Sequence, residues 1–361
     1  MTDYQIKTAR RRLVLGISNV GFWVLASLGC LAWFAAPGAA AISPTYLVGL
    51  MLVAVGVQAC FDGVGGAFLM PAPLVEFGVF LRRWVRGVAA HTTLLCAVGG
   101  LSYWSFRLTE GFCVGVVASS LGLFLFRRQI LRLVSGLPAR PFLSAGPACW
   151  SADSSDPSFT GGTCGMGSTA MILLPGPWTS DLNAAELQTV IQRRVWEIKN
   201  NLPARSFLFA LSWNLAGCRV GSLLLELPNR LPESAMLLQG CWMTVWGFLG
   251  LLILPTVSRS SVFGADRATA AQGFDSIAWI QRFPKMTGED GNPKTLLQRV
   301  FYPIPSAQER LDCLERSPVL PIFGNVARTN LFLSLATLTF LGRCVHCNVG
   351  RPELWVFPPS D

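Results

Sequence analysis

Charged side chains are scarce in this chain, at 14% of its residues, where a soluble domain carries about one quarter. So few charges cannot cover a water-soluble surface for 361 residues, which argues against an ordinary soluble enzyme or binding domain. Histidine is scarcer still: His91 and His346 are the whole complement, and they stand far apart in the sequence. Paired CxxC motifs are missing too. Of eleven cysteines, Cys344 and Cys347 alone have that spacing, and an odd total scattered through apolar stretches argues against a disulfide framework. Most of the cysteines read as small core residues. A cleavable signal peptide is also missing. The first apolar run, about 24 residues from Leu13 to Ala36, exceeds the apolar core of a signal and reads as an anchor that stays.

What the chain does have is apolar length. Hydrophobic residues make up 52% and the mean hydropathy is +0.46. The clearest candidate spans run from Leu13 to Ala36, Tyr46 to Leu69, Val88 to Trp104, Gly111 to Phe126, Ser206 to Leu225 and Ala235 to Val257, each approaching the roughly 20 residues that cross a bilayer. A shorter run, Asn330 to Cys344, reads equally as a seventh span, a re-entrant piece or a buried helix. The net charge of +9 lies beside these spans, so it reads as topogenic charge and not as a nucleic-acid surface. Lys7, Arg10, Arg11 and Arg12 precede the first span, Arg82, Arg83 and Arg86 follow the second, and Arg127, Arg128 and Arg132 follow the fourth. Those clusters fall on one side, which predicts a cytoplasmic N-terminus. The opposite loops carry little charge: Arg107 and Glu110 in one, Glu226, Arg230 and Glu233 in the other. Both large polar segments, Arg127 to Arg205 and Ser258 to Thr329, are then cytoplasmic.

Two polar residues sit in or near spans. Asp62, in the run Asp62-Gly63-Val64-Gly65-Gly66, is either an ion or proton site at membrane depth or, the favoured reading given the glycines, part of an interfacial turn. His91 reads as an interfacial residue and not a ligand.

The first polar segment carries an α+β pattern. Ala148 to Ala152 predicts a short strand, Ser154 to Gly167 a turn-rich loop, and Ala170 to Leu174 a second strand. A helix follows, with Asn183 as N-cap, Glu186 three residues on, and Leu187, Val190, Ile191, Val195 and Ile198 at helical spacing until Asn200, Asn201 and Pro203 end it. Its apolar stripe faces a core, while Arg193, Trp196, Glu197 and Asn200 share another face.

This order of features resembles the membrane zinc metallopeptidases of the HtpX and CAAX prenyl endopeptidase type. Asp156-Pro157-Ser158-Phe159-Thr160-Gly161-Gly162 is similar to their loop before an edge strand, Met171-Ile172-Leu173-Leu174-Pro175-Gly176 to the edge strand itself, and Glu186-Leu187-Gln188-Thr189-Val190-Ile191 to the start of their active-site helix. After two further spans, Ser258-Arg259-Ser260-Ser261-Val262-Phe263-Gly264-Ala265-Asp266-Arg267 resembles their Ser-Arg-x-x-Glu-Phe-x-Ala-Asp segment. Tyr302-Pro303-Ile304-Pro305-Ser306-Ala307-Gln308-Glu309-Arg310-Leu311 resembles their His-Pro-Pro-x-x-x-Arg-Ile element. The likeness covers about Arg127 to Leu314. It implies an α-helical multi-span membrane protein with a cytoplasmic α+β metallopeptidase-like (gluzincin) domain, in a bacterial inner membrane. Residues 1–126 would form an N-terminal membrane region of about four helices and 127–316 the metallopeptidase-like domain with spans 206–225 and 235–257 inserted. Residues 317–361 would be a C-terminal segment with a short apolar helix and a tail rich in Pro and Trp.

The resemblance also shows what is lost. A gluzincin site needs two His one helical turn apart, a Glu beside the first as general base, and a third carboxylate ligand from a later helix. Aligned from Glu186, Arg193 replaces the first His, Arg194 the general base, Glu197 the second His and Val262 the third ligand. No His-x-x-x-His occurs anywhere, and a guanidinium has no lone pair for zinc. No metal or other cofactor is therefore expected; zinc returns only under the alternative of an active endopeptidase with a non-standard site. Cys344, His346 and Cys347 lack a fourth ligand at finger spacing and read as packing, with part of a metal site as the alternative.

At the former site, Arg193 and Glu197, at i and i+4, can pair, and Asp266 can reach the same place. A salt bridge filling a vacated metal cavity is favoured there over an anion or lipid-headgroup pocket. Trp196 is expected to fill part of the cleft, so that no substrate strand adds to the edge at Met171 to Leu174. The function expected is a catalytically inactive homologue that binds or scaffolds other membrane proteins in the bilayer. A transporter or lipid-handling protein built on Asp62 is the further alternative.

Overall fold

The computed structural model describes residues 3–34, 42–69, 77–109, 111–142, 147–287, 304–315 and 321–359. Ala36, Glu110, Tyr302, Pro303 and Arg316, named in the expectations above, lie outside the described residues. The chain is largely helical. Helices α1 (Asp3–Phe34), α2 (Pro44–Ala67), α3 (Phe77–Thr109) and α4 (Cys113–Leu125) come first. A short α5 (Arg127–Ser135) then leads into strands β1 (Ala139–Phe142), β2 (Ala148–Ala152), β3 (Gly162–Cys164) and β4 (Met171–Pro175). After α6 (Gly176–Asp181) and α7 (Ala184–Lys199), the chain turns into α8 (Leu202–Leu224) and the 40-residue α9 (Pro232–Ala271). Helices α10 (Ser276–Thr287), α11 (Ala307–Leu314), α12 (Val326–Leu333), α13 (Leu341–Cys344) and α14 (Pro352–Val356) follow.

Among the described residues, four helices are long and apolar enough to cross a membrane alone: Lys7–Phe34 within α1, Pro44–Ala67, Leu202–Leu224 and Pro232–Ala271. Helix α3 contains the expected third span, Val88 to Trp104, but is not among the helices apolar enough to cross alone. The expected fourth span is shorter than its apolar run: α4 has 13 residues, and the chain bends by 78° into α5. That leaves it as half of a broken span or of a re-entrant loop. The bend falls where Arg127 follows Phe126, and the Arg127 guanidinium turns inward onto the carbonyl of Val356 at 2.9 Å.

α8 and α9 pack closely because glycine lets them. A Cβ at Gly217 would meet the Trp246 ring at 2.4 Å and one at Gly221 the Trp242 ring at 2.3 Å. The two indoles donate across to the carbonyls of Trp213 (3.0 Å) and Gly217 (2.8 Å), so their N–H groups are satisfied inside an apolar bundle.

The C-terminal segment departs most from expectation. Asn330 to Cys344 is neither a span nor a re-entrant helix, because α12 and α13 are short pieces joined by a tight turn. From Val326 to Pro359 every residue is buried except Thr329, Leu338 and Cys347, which are half-buried. Phe332, Leu333, Leu335, Phe340, Leu354, Trp355 and Phe357 join Val20, Leu95, Leu123 and Leu131 in one core, so this segment fills the space between the earlier helices. Its polar backbone is held by an N-terminal side chain: Arg12 donates to the carbonyls of His346 (2.9 Å), Cys347 (3.3 Å), Leu69 (2.9 Å) and Gly65 (3.3 Å).

Asp62 is correspondingly not in an interfacial turn. It lies within α2, fully buried, because a partner arrives from the tail. Arg343 forms an ion pair with it, the Gly350 N–H donates at 3.0 Å and Gln58 Nε2 at 3.2 Å. His91 is likewise buried inside the protein, with Nδ1 3.2 Å from Arg343 Nη1.

The sheet order is β1-β2-β4-β3, with β1 and β3 antiparallel to their neighbours and β2 parallel to β4. β4 is therefore an inner strand and not the expected edge. Its outer side is taken by β3, drawn from the loop expected to be irregular. Gly161, at φ +68°, allows the approach: a Cβ there would lie 2.1 Å from the Leu173 carbonyl oxygen.

Candidate functional site: a charged cleft

α7 begins as its sequence dictates. Asn183 Oδ1 accepts from the Glu186 N–H at 2.9 Å, and Glu186 Oε2 accepts from the Asn183 N–H at 3.0 Å. Leu187, Val190, Ile191, Val195 and Ile198 pack with Ile172 and Leu174 of β4 and with Trp178, Trp279 and Phe283. That stripe orients the helix, so Arg193 and Arg194 turn toward α9, and both are buried.

Arg193 pairs with Asp266 of α9, and both side chains are 1% exposed. The expected Arg193–Glu197 pair does not form; Glu197 instead faces Arg194, whose Nη1 lies 3.4 Å from each carboxylate oxygen. An i,i+3 contact of that length is loose. Asp266 has a second partner: Arg310 of α11 grips it with two bonds of 2.8 Å. One buried carboxylate thus ties three elements together, the arrangement in which an ion pair survives desolvation. Arg310 itself was quoted in a motif but not foreseen at the site. The signal was its helix cap: the Ser306 hydroxyl and Glu309 carboxylate close a reciprocal cap that fixes the start of α11 and aims Arg310 inward. Although burial pushes the Glu309 carboxyl up, the Ser306 N–H and Arg259 hold it below the ordinary glutamate range.

Trp196 is half-buried and packs against Gly264 of α9 beside Pro321. It does not cover β4; β3 does. A strand is thus kept off β4 by a different element from the one expected.

Between these parts lies a cleft with about 60 Å³ of room, enough for a few water molecules. Arg194, Glu197 and Val262 line it, with Gly161 to Thr163 of the β3 region, the first turn of α8, Ser261, the start of α12 with Arg328, and Arg127. Arg127, Arg328 and the α8 terminus were not foreseen here. Their sequence positions lie far from α7.

Three of the positions that the resemblance aligns with a zinc site, Arg194, Glu197 and Val262, thus share one cleft, with Arg193 beside it on Asp266. This donor set does not suit Zn²⁺, since guanidinium and isopropyl groups offer it no lone pair. Among the described residues no three His, Cys, Asp or Glu side chains converge as a metal site. The Cys344, His346 and Cys347 cluster is dispersed: Cys344 Sγ donates to the Phe340 carbonyl at 3.1 Å and Cys347 Sγ to Asn348 Oδ1 at 3.3 Å.

A second buried charge cluster ties the tail to the polar loop. Arg351 meets Asp156 at 3.0 Å and donates to Ser158 Oγ at 2.8 Å, and the Ser154 hydroxyl donates to Glu353 at 3.0 Å. Burial, then the nearby Asp156, pushes the Glu353 carboxyl above the ordinary glutamate range.

The apolar helices define an integral, multi-pass membrane protein. Among solved structures, its fold is similar to that of the S. mikatae Ste24p crystal structure, with a TM-score of 0.61 and 12% sequence identity over 82% of this chain and 81% of that one. Ste24p is a CAAX prenyl protease, a membrane zinc metallopeptidase. At that identity the likeness is one of fold. No family model matches the sequence, and no curated protein does.

Proposed function

We propose that this chain is a catalytically inactive homologue of the membrane zinc metallopeptidases, which binds or scaffolds other proteins in the same bilayer. The observation that carries this reading is the Arg193–Asp266–Arg310 cluster beside Arg194 and Val262. Two fixed positive charges stand where metal ligation and general-base chemistry belong, and a buried counter-ion holds one of them in place. A dication brought among guanidinium groups is repelled by roughly 4 kcal/mol per unit charge at about 4 Å and an effective dielectric near 20. The rival reading, an active endopeptidase with a non-standard zinc site, finds no converging donor set among the described residues. We further propose a bacterial inner membrane, with the N-terminus and the polar domain on the cytoplasmic side. The one-sided Lys and Arg clusters at Lys7 to Arg12, Arg82 to Arg86 and Arg127 to Arg132 support that orientation.

Elemental analysis of protein purified without chelator tests the core of the proposal, and zinc well below one equivalent is expected. Stoichiometric zinc, or zinc-dependent cleavage of a membrane substrate, would overturn it. Mass spectrometry of proteins co-purified in mild detergent then identifies the partner.

A further inference from the structure

Two thiols meet where α1 and α9 pack at one end of the bundle. Leu31 and Phe34 of α1 lie against the cluster of Ala235 and Leu238 of α9, and the Arg230 guanidinium donates to the Phe34 carbonyl at 3.1 Å. Those contacts bracket Cys30, just before Leu31, and Cys241, one turn after Leu238. The two cysteines are hydrogen-bonded to each other, thiol to thiol, and the buried Ser27 hydroxyl, one turn before Cys30, bonds to Cys241 as well. Both are free thiols. They differ in exposure: Cys241 is buried, whereas Cys30 is half-buried and stands about one turn, roughly 5 Å, from the end of α1 at Phe34. Packing as small core residues, the reading given to most of the cysteines, calls for no second thiol at the same point. Here each thiol has the other as its partner.

We propose that Cys30 and Cys241 are a redox pair, converted to an interhelical disulfide by exchange with a disulfide-bearing oxidant. Two sulfurs in hydrogen-bond contact already have the proximity the bond needs, and side-chain rotation completes the approach. The order of events follows from exposure. Cys30 gives up its proton, and its thiolate attacks one sulfur of the oxidant; the oxidant's disulfide breaks, and the departing sulfur takes up a proton. Cys241 then loses its proton and attacks the Cys30 sulfur of the mixed disulfide, which releases the oxidant's second sulfur as a thiol. Two protein thiols are oxidised and one disulfide is reduced to two thiols. The bridge closes a loop that contains α2 to α8 and ties the first span to α9, whose far end carries Val262 and Asp266. A loop of that length restricts the unfolded chain strongly, so the bridge stabilises the bundle. The proposed orientation puts this end of α1 on the outer side and so decides which compartment supplies the oxidant. The bridge itself depends neither on that orientation nor on the loss of the zinc site.

The test uses the full chain in dodecyl maltoside, where both faces of the bundle are open to solutes. The protein is reduced, freed of reductant and exposed to oxidised glutathione. Thiols that remain are then alkylated after unfolding, and each cysteine is mapped by peptide mass spectrometry. Cys30 and Cys241 should lose their alkyl labels together and appear as one bridged pair of peptides within a monomer. If both keep their labels, or if Cys30 carries glutathione while Cys241 stays labelled, the proposal is overturned, whatever the exposed Cys60 and Cys96 do. Two variants read the order of attack. Cys241→Ser should hold one glutathione on Cys30 as the stalled mixed disulfide, and Cys30→Ser should leave Cys241 without one. Equal glutathione on Cys30 and Cys241 in the two variants overturns the assigned order. The mapping of the unsubstituted chain needs no variant, so a serine substitution that fails to fold leaves it decisive.

Discussion

Asp266 and Glu197 each face an arginine, yet their surroundings differ and so should their responses to removal. Asp266 is fully buried between Arg193 and Arg310, each 1% exposed. Asp266→Ala removes the buried carboxylate that both guanidinium groups share and is expected to cost about 3–5 kcal/mol. Glu197 is 16% exposed and touches Arg194 at 3.4 Å, so Glu197→Ala is expected to cost under about 1 kcal/mol. Denaturant unfolding of the two variants in one detergent checks the ranking, and equal losses would contradict it. Of the charges at the site, Arg193, Arg194, Glu197 and Asp266 were legible in the sequence. Their pairing was not: helical spacing offers Glu197 to Arg193, but the rotation of α7 imposed by its apolar stripe points Arg193 at α9 instead.

At the scale of elements, β3 decides what can approach β4. Its entry depends on Gly161, whose φ of +68° and 2.1 Å clearance to the Leu173 carbonyl oxygen leave no place for a Cβ. Gly161→Ala is expected to cost at least about 1–2 kcal/mol from the left-handed backbone alone, and to loosen β3 from β4. Limited proteolysis should then cut residues 154–167 faster than in the wild type, and an unchanged rate would place the hold on β4 elsewhere. The strands β2 and β4 were readable because each is a compact apolar run bounded by Pro or Gly. β3 has three residues, two of them Thr163 and Cys164 after a glycine, too little pattern to separate from a turn.

The whole molecule is a set of apolar helices closed around its own C-terminal segment. α8 and α9 form a hairpin whose turn contains Asn229, so that residue and the cleft near Ser261 lie at opposite ends of the pair. Reporters fused after Arg132 or after Ser261 are expected on the cytoplasmic side and one near Asn229 on the other. Finding the Arg132 and Asn229 fusions on the same side would overturn the orientation. The tail's role in closing the bundle had no counterpart in the sequence pattern, since Asn330 to Cys344 is apolar enough for a span and is instead broken at the tight turn before α13.

The sequence by itself determined that the chain lives in a bilayer, along which stretches its strongest apolar helices run, that a capped helix carries Arg193, Arg194 and Glu197, and that it contains no His-x-x-x-His. These are local properties, set by composition, by runs of about 20 residues and by one-turn spacing. Only the tertiary structure decided which charges meet. Asp62 and Arg343 stand 281 residues apart and Asp266 and Arg310 44 apart, and no periodicity links such positions. Apolar periodicity states which face of an element is buried but not against what. The counter-ion of a buried charge is therefore chosen by packing, through the cost of leaving either charge without its partner.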